Sequence, residues 1–367
     1  MEYEKKLYDY IAAIRPADKT RLDTAWKRLD SLCKPPRSLG GIEETASRLY
    51  AIQNGDRISA QKRRIIVMAA DNGVCAEGIS SAPKSVTLMQ TKNIARGITG
   101  VAVLARRFGA EVEVVDVGVD TDERLAGVID AKLMRGTNNI RVSAAMDRET
   151  AAKAVLTGIE RAARAASDGI DAIGTGEMGI GNTTTSSAVL SVLTGLGVEE
   201  VTGRGAGLND DAFDNKKRVI SDAIAFNAPD ASDPLDVISK VGGLDIAAMA
   251  GVFLGAALNR KAVVIDGFIS IVAALTAYRM CPAVKDYMFA SHASFEIGFA
   301  RAAKELGIAA PFMLDMRLGE GSGCPMCFAL MDAACAIYND MATFDEASID
   351  TSYLDTISQG DCFTVEE

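Results

Sequence analysis

The stretch AIGTGEMGIGNTTTSSAVLSVLTG, residues 172–195, joins a short apolar run, a glycine-dense turn and an apolar, helix-like segment. The first run has the length of a buried strand, and its polar caps favour a helix directly after the turn. Glycines let a ligand approach the backbone, and a helix N-terminus attracts anions. The candidate ligand-contacting residues of the turn are Gly176, Gly179, Gly181, Asn182 and Thr183. This unit predicts an α/β protein built on a parallel sheet.

Five further apolar runs of strand length repeat the pattern on both sides of this unit. They are RIIVMAADNG (64–73), VEVVDVGVD (112–120), AVVIDGF (262–268), YMFASH (287–292) and PFMLDMRLGEG (311–321). Helical stretches such as GVAVLARRFG and LDIAAMAGVFLGAAL separate them. Strands that alternate with helices predict a mainly parallel sheet, whose ligands bind beyond the carboxyl ends of the strands.

Both chain ends have a helical pattern instead. Segments YEKKLYDYIAAI and IEETASRLYAIQ carry apolar residues at three- and four-residue spacing, and the Pro/Gly loop CKPPRSLGG lies between them. The pattern returns from residue 330 onward. We therefore expect a small helical domain of residues 1–60 and 330–367 beside a large α/β domain of residues 61–329.

Composition excludes several classes of protein. The net charge of −10 over 367 residues argues against a nucleic-acid-binding surface. No apolar stretch is long enough to predict a membrane span, and the N-terminus lacks the apolar core of a signal peptide. Seven scattered cysteines are typical of a reducing compartment. We expect a cytoplasmic protein.

A second glycine loop, TGRGAGLNDD (202–211), predicts a phosphate pocket because it combines glycines with cations. Its candidate residues are Gly203, Arg204 and Gly205, with Lys216 a little beyond. The pattern GxGxG after a helix does not support binding of NAD. Glu177 would repel phosphate and suits a neutral or cationic group, although its residue type alone favours a solvated loop residue.

The loop GEGSG (319–323) presents Glu320 between two glycines at the end of an apolar run. A poorly hydrated carboxylate there could act as a general base, and a solvated turn residue is the equal alternative. The adjacent Cys324 and Cys327 form a CxxC motif that lacks a second metal-binding pair. We interpret both as buried thiols and expect no metal site.

Two strand-end aspartates and the sole histidine remain as candidates. Asp71 and Asp266 could hold a metal or ribose hydroxyls, and their spacing specifies neither. A Ser–His–Asp mechanism would need His292, yet no GxSxG motif is present.

The chain resembles the nicotinate-nucleotide:dimethylbenzimidazole phosphoribosyltransferase family almost from end to end. The resemblance rests on the motifs LDSLCKPPRSLGGIE, AADNGVCAEGISSAPKSVTLMQ, RGITGVAVLARRFGAEVEVVDVGVDT, GTGEMGIGNTTTSSA, GRGAGLND, GGLDIAAMAGVFLGAA, VIDGFIS, DYMFASHASFE and MRLGEGSG. So many long motifs in one order are highly specific.

The resemblance implies a six-stranded, Rossmann-like, mainly parallel sheet, a small helical domain formed from both chain ends, and a dimer. It implies transfer of phosphoribose from nicotinate mononucleotide to a cobamide lower-ligand base, with inversion at the anomeric carbon and without metal or nucleotide cofactor. It assigns the general base to Glu320, places Glu177 at the nicotinate and ribose end, and places Lys216 with residues 203–207 near the phosphate. Ser291 is a further polar contact, and the strand-end Asp266 is a candidate residue for binding the donor.

Departures from the commoner pattern concern the acceptor and the loops. Asn72 replaces a histidine, Arg37 replaces a glycine, and Ala82 replaces a serine near the acceptor, whereas Gln90 is kept. Ala82, Gln90 and Leu318 form the predicted acceptor pocket. Some relatives act on phenol or p-cresol, and some of those are two unlike subunits. An acceptor of that kind, and a mainly structural or regulatory subunit paired with an active paralogue, therefore remain alternatives.

Overall fold

The computed structural model describes residues 2–205 and 207–356. Its strands are β1 (Arg63–Ala70), β2 (Ala110–Gly118), β3 (Val128–Asp130), β4 (Ala172–Met178), β5 (Ala262–Ile265) and β6 (Met288–Ala290). They form one sheet in the order β3-β2-β1-β4-β5-β6, and every pairing is parallel. The predicted fold class is confirmed.

Fourteen α-helices occur in the described ranges. They are α1 (Glu2–Ala13), α2 (Lys19–Ser31), α3 (Gly41–Ile52), α4 (Val86–Ala95), α5 (Gly100–Arg107), α6 (Arg148–Ser167), α7 (Asn182–Thr194), α8 (Val198–Val201), α9 (Asp210–Asn227), α10 (Pro234–Val241), α11 (Leu244–Leu258), α12 (Phe268–Met280), α13 (Ile297–Leu306) and α14 (Cys324–Asp340). Short 3₁₀ helices span Gly73–Glu77, Pro282–Tyr287 and Ser352–Thr356. No helix in the described ranges is long and apolar enough to cross a membrane.

One predicted strand is wrong. Residues 311–321 form no strand, and only Phe312 makes an isolated parallel bridge, to His292. Met313 is 81% exposed, so this apolar run lacks the burial that would fix it as a strand. The sixth strand is instead β3, whose three residues pair with the end of β2.

Glycine and alanine let α11 and α6 pack closely in the core. A Cβ on Gly158 would overlap the carbonyl oxygen of Ala248, and a Cβ on Gly251 would overlap that of Val155. Almost all of α11 is buried. The N-terminus of this helix is thereby fixed near the carboxyl ends of the strands, where it contributes to the site.

Contacts divide the described chain into two compact units. Residues 2–17, 60–205 and 207–329 form the large unit, and residues 18–59 and 330–356 form the small one. Helix α1 groups with the large unit, which differs from the predicted range of 1–60. Its Leu7 is fully buried, and Glu4 accepts two hydrogen bonds from Arg148, at 2.7 and 3.0 Å.

The small unit accommodates Arg37, which departs from the glycine of the family pattern. Arg37 has a φ of 64°, in the left-handed region that favours glycine. Its guanidinium lies 3.6 Å from the ring centre of Trp26 and pairs with both oxygens of Asp30 at 2.9 Å. These contacts offset the backbone strain at this position.

Candidate active site

A crevice opens where the order of the sheet reverses, between β1 and β4. Ligands bind at this position in doubly wound sheets. Segments that follow β1, β4, β5 and β6, together with residues 317–320, line a cavity of about 380 Å³. Its ionisable lining side chains are Glu177, Asp266, His292, Glu296, Arg317 and Glu320. A cavity with so many carboxyl groups suits proton transfer.

Backbone geometry presents Glu320 to this cavity. Gly319, Glu320 and Gly321 have φ values of 84°, 63° and 94°, and this left-handed region costs a non-glycine residue about 1–2 kcal/mol. A Cβ on Gly319 would overlap Oε1 of Glu177, and one on Gly321 would lie 2.7 Å from Cγ2 of Ile65. Both glycines are therefore required for the close approach of this loop to β4 and β1.

Two donors orient the carboxylate of Glu320, which is only 4% exposed. Nε2 of Gln90 donates to Oε1 at 2.6 Å, and the backbone N–H of Val101 donates to Oε2 at 3.2 Å. Each carboxylate oxygen can accept a further hydrogen bond. The side chain is thus fixed in direction and still able to take a proton from a ligand.

Glu177, near the carboxyl end of β4, is a buried neighbour of Glu320. Its Oε1 accepts the backbone N–H of Glu320 at 3.2 Å, and its Oε2 accepts the side-chain amide of Asn182. Burial, reinforced by the nearby Asp245 carboxylate, raises the pKa of Glu177 to about 8. Glu177 therefore holds a proton over much of the neutral range and is no solvated loop residue.

Asp245, on the first turn of α11, belongs to the same polar cluster. Its Oδ2 accepts the Asn182 amide at 3.0 Å, so one NH₂ group bridges Glu177 and Asp245. Burial raises the pKa of Asp245 to about 6. Asn72, which replaces the family's histidine, is fully buried, and its Oδ1 has no hydrogen-bond partner among the described residues.

We expect Asp245→Asn to flatten the pH dependence of stability. The pKa of Asp245 in the folded chain lies above its unfolded value, so the unfolded chain loses this proton first as pH rises. The wild type should therefore lose up to about 3 kcal/mol relative to the variant between pH 4 and pH 7. Urea unfolding across this range measures the difference. Asp23→Asn, at an exposed position, is the control. If the free energy of unfolding changed with pH in the same way for the wild type and Asp245→Asn, the prediction would be contradicted.

Asp266, which follows β5, positions the loop that carries Glu320. Its Oδ2 accepts the backbone N–H of Gly321 at 3.0 Å, and its Oδ1 accepts that of Gly323 at 2.6 Å. Burial raises the pKa of Asp266 to about 7, with the Glu320 charge acting in the same direction. Both oxygens of Asp266 are thus engaged with the protein backbone, although the residue also lines the cavity.

The other end of the cavity lies next to a buried ammonium group. Lys216, on α9, is 1% exposed, and its Nζ donates to Oγ1 of Thr183 at 2.8 Å and to the carbonyl oxygen of Gly203 at 3.1 Å. Burial lowers the pKa of Lys216 to about 8. Thr183 and Gly205 line the cavity beside it. This end suits an anion.

The structure brings most of the predicted site residues to one cavity. Those that line it are Gln90, Glu177, Gly179, Gly181, Asn182, Thr183, Gly205, Asp266, Leu318 and Glu320. Gly176 lies beneath the loop instead, where a Cβ would overlap the carbonyl oxygen of Glu320. Its role is to admit the loop against β4.

Five other predicted residues do not line the cavity. Lys216 and Gly203 lie beside it, where Nζ of Lys216 donates to the carbonyl oxygen of Gly203. Arg204 donates to Asp210 at 2.6 Å and to the carbonyl of Leu208, so its guanidinium binds the segment that directly follows it. Ser291 is fully buried and donates to the carbonyl of Asp266 at 3.0 Å. Ala82 lines a neighbouring groove.

Serines close in sequence to two of these residues line the cavity instead. Ser294 lies three positions after Ser291, and Ser80 lies two positions before Ala82. Ser80 also lines the neighbouring groove and accepts the backbone N–H of Ala82 at 3.2 Å. The hydroxyl of Ser80 therefore keeps the rim of the cavity polar.

Sequence patterns missed Asp245, Glu296 and Arg317. The signal for Asp245 was an acidic residue at the start of the otherwise apolar segment LDIAAMAGVFLGAAL. Glu296 and Arg317 gave no signal, because each lies in an irregular segment that only the fold brings to the cavity. His292 also lines the cavity; its Nδ1 lies 3.0 Å from the Ser291 hydroxyl, and burial lowers its pKa.

Cys324 and Cys327 of the CxxC motif are buried thiols at the start of α14, not joined in a disulfide. The thiol of Cys324 donates to the carbonyl of Thr175 at 3.4 Å, and burial raises its pKa well above the ordinary value. Within the described ranges, no three His, Cys, Asp or Glu residues are arranged to hold a metal ion. Cys362 lies outside the described residues.

A Rossmann-like sheet with this carboxylate-lined crevice agrees with comparisons to known proteins. Residues 14–349 match the sequence model of a family described as phosphoribosyltransferase, so the chain is a pentosyltransferase by class. A nicotinate-nucleotide–dimethylbenzimidazole phosphoribosyltransferase of Clostridium perfringens is 48% identical over 98% of this chain and 99% of its own. Its counterpart in Ruminiclostridium cellulolyticum is also 48% identical, over 93% and 97%.

Comparison with a solved structure supports the same family. The crystal structure of CobT from Thermus thermophilus is 37% identical, with a TM-score of 0.87 over 91% of this chain and all of that one. The chain belongs to the nicotinate-nucleotide–dimethylbenzimidazole phosphoribosyltransferase family, as its motifs predicted.

Proposed function

We propose that this chain transfers phosphoribose from nicotinate mononucleotide to an aromatic lower-ligand base such as dimethylbenzimidazole, with Glu320 as the general base. The products are an α-ribotide and nicotinate. The observation that carries the proposal is the carboxylate of Glu320, held at the cavity by Gln90 and Val101. The names of the relatives support the substrates.

The leaving group requires no general acid. Nicotinate mononucleotide bears a pyridinium nitrogen, which takes both electrons of the broken C1′–N bond and departs as a neutral ring nitrogen. The incoming nitrogen lone pair attacks C1′ from the opposite face, so the configuration changes from β to α. Metal or cofactor chemistry is not part of this reaction.

The base must lose a proton as it attacks. In dimethylbenzimidazole one ring nitrogen attacks while the N–H of the other nitrogen becomes acidic, and Glu320 accepts that proton. The bonds from Gln90 and Val101 fix the direction in which the carboxylate points, which reduces the reorganisation needed during the reaction. Glu320 then returns the proton to solvent.

We assign the donor's phosphate to the end of the cavity near Lys216. The ammonium group is buried, and neutral partners from Thr183 and Gly203 hold it at the loop. A phosphate beside Thr183 and Gly205 would lie next to this positive charge. Arg204 is not the cation that we assign to the phosphate, because it pairs with Asp210. Protonated Glu177 suits the ribose and nicotinate portion, because a neutral carboxyl does not repel the substrate's anionic groups.

We assign the acceptor to the end formed by Gln90 and Leu318. Val86 and Met178 add apolar surface there for an aromatic ring, and Ser80 adds a hydroxyl at the rim. A phenol-type acceptor was suggested by Ala82, whose place in a neighbouring groove removes the main argument for it. Dimethylbenzimidazole is therefore the preferred acceptor of this proposal.

We propose that the active form is a homodimer. Leu318 is 59% exposed, and its side chain lies against Gly100 at the start of α5, close to exposed Ile98. On the other side, Arg317 lies over the ring of Phe295, which is 65% exposed. These exposed apolar side chains continue from the acceptor end of the cavity, so a second copy covering them would also exclude water from the acceptor.

We expect the purified chain, expressed alone, to make α-ribotides and to prefer dimethylbenzimidazole over adenine, phenol and p-cresol. The assay offers all four acceptors together with nicotinate mononucleotide and identifies the products by mass. Light scattering on the same preparation measures the oligomeric state, which should be a dimer.

Other outcomes separate the alternatives. If phenolic ribotides were the main products, the proposed acceptor would be wrong, whereas the proposed transfer of phosphoribose would stand. An inactive chain that gains activity only with a paralogous subunit would support the structural or regulatory role and contradict the homodimer.

A further inference from the structure

Glu296 is a cavity carboxylate that the proposed reaction does not use. It precedes the first residue of α13, and its side chain makes no capping bond to that helix. Its carboxylate lies instead against the 203–205 loop, where a Cβ on Gly203 would overlap Oε2. Glu296 also lines the cavity, as does Gly205. An anionic side chain therefore lies on the glycine loop at the phosphate end.

Lys216 is a cation that contacts the same glycine loop. It is almost completely buried, and it forms no ion pair with a carboxylate in the part of the chain that the structure describes. Among the described residues, its hydrogen bonds go to two neutral groups, the Thr183 hydroxyl and the Gly203 carbonyl. Burying a cation without a close counter-ion is costly, which points to an anionic ligand. Glu296 supplies the compensating charge at longer range.

We propose that Glu296 is the counter-ion of Lys216 in the empty enzyme and takes up one proton from solvent when a phosphate dianion binds beside Lys216. The phosphate remains a dianion, and the new carboxylic acid can donate a hydrogen bond to it. Because binding takes up a proton at Glu296, affinity for the donor falls as pH rises. The inference rests on the proposed assignment of the phosphate to Lys216.

The charges around Glu296 support this role. Burial raises the pKa of Glu296, whereas Lys216 from α9, the backbone N–H of Gly205 and Arg317 lower it. A bound dianion would neutralise the effect of Lys216 and add repulsion, so it would raise that pKa further. One unit of additional shift corresponds to about tenfold in affinity at high pH.

The carboxylates on the adjoining helix α8 are already paired. Glu199 lies 3.0 Å from Nζ of Lys217, and Glu200 lies 3.8 Å from Arg301. Both are exposed, and neither lines the cavity. Glu200→Gln therefore removes a charge next to α13 without changing the cavity, which makes it a matched control.

Calorimetry of nicotinate mononucleotide binding tests the inference. Titrations at pH 7.0 in two buffers of different ionisation enthalpy give the number of protons taken up. We expect uptake by the wild type and by Glu200→Gln, and less uptake by Glu296→Gln. Between pH 6.5 and 7.5, where Lys216 with its pKa of about 8 stays mostly protonated, affinity should fall by up to about tenfold for the wild type and stay flatter for Glu296→Gln.

Lys216 offers a competing source of uptake, and the variant distinguishes the two. Because the Glu296 charge raises the pKa of Lys216, removing it would leave Lys216 less protonated in the empty enzyme. Uptake at Lys216 would then increase in Glu296→Gln, so equal or greater uptake by this variant would overturn the inference. If the wild type bound neither the nucleotide nor inorganic phosphate, the proposed function itself would be overturned.

Discussion

Glu320→Gln should lower the rate of α-ribotide formation at saturating substrates at least about 100-fold. Glutamine keeps the length of the side chain but cannot accept the proton of the incoming base. Its amide can satisfy only one of the two donors at this position, because its NH₂ group would face either Gln90 or Val101. The loss therefore combines a missing base with a disturbed orientation.

The measurement is release of nicotinate with both substrates at saturation, with donor affinity recorded separately. Donor affinity should change little, since we assign the donor's phosphate to the other end of the cavity, beside Lys216 and Thr183. Glu320→Asp keeps the base but draws it away from Gln90, and it should retain an intermediate rate. Turnover of Glu320→Gln within a few fold of the wild type would remove Glu320 from the role of general base.

Lys216→Met should reduce kcat/KM for nicotinate mononucleotide by roughly 10- to 150-fold, mainly through KM. Methionine fills much of the space of the lysine and removes the charge. A hydrogen bond to a charged group contributes about 1.5–3 kcal/mol, and the phosphate would lose one such bond with Lys216. Lys216→Arg is no conservative rescue, since Nζ is enclosed by Thr183 and Gly203.

The adjacent lysine provides the control. Lys217 pairs with exposed Glu199 and Asp214, at 3.0 and 2.8 Å. Such ion pairs contribute about 0–1 kcal/mol, so Lys217→Met should leave KM nearly unchanged. Equal effects of the two substitutions would indicate a general loss of positive charge and contradict a direct phosphate contact at Lys216.

Residue patterns were sufficient for the architecture because most buried strands here are apolar runs bounded by polar or glycine ends. The patterns failed in two places: one strand is too short to give an apolar run, and one apolar run forms no strand. β3 has only three residues, of which Val128 and Ile129 are partly exposed, so no run marks it. Residues 311–321 are apolar enough for a strand, yet they pass along the cavity as irregular backbone.

The site was predicted less completely, for reasons of geometry. The sequence leaves Glu320 equally consistent with a solvated turn, because the left-handed backbone that presents it depends on contacts with Glu177 and Ile65. Only the family resemblance favoured Glu320. Ser291 was predicted to contact the ligand, but Ser294 lines the cavity instead. The path of the irregular segment after β6 decides which serine does so, and the sequence does not reveal that path. Asp245 is 68 residues from Glu177 in the sequence, and packing of α11 alone brings them together.

The two ends of the cavity are built from different parts of the chain, and this has an evolutionary consequence. Gln90 on α4 and Leu318 line one end, whereas the loops after β4 and β6 and helix α9 form the other. Selection for a new acceptor could therefore change α4 and residues 317–318 while the segments to which we assign the donor stay conserved. Lineages that differ in lower ligand should accumulate their differences at one end of the crevice.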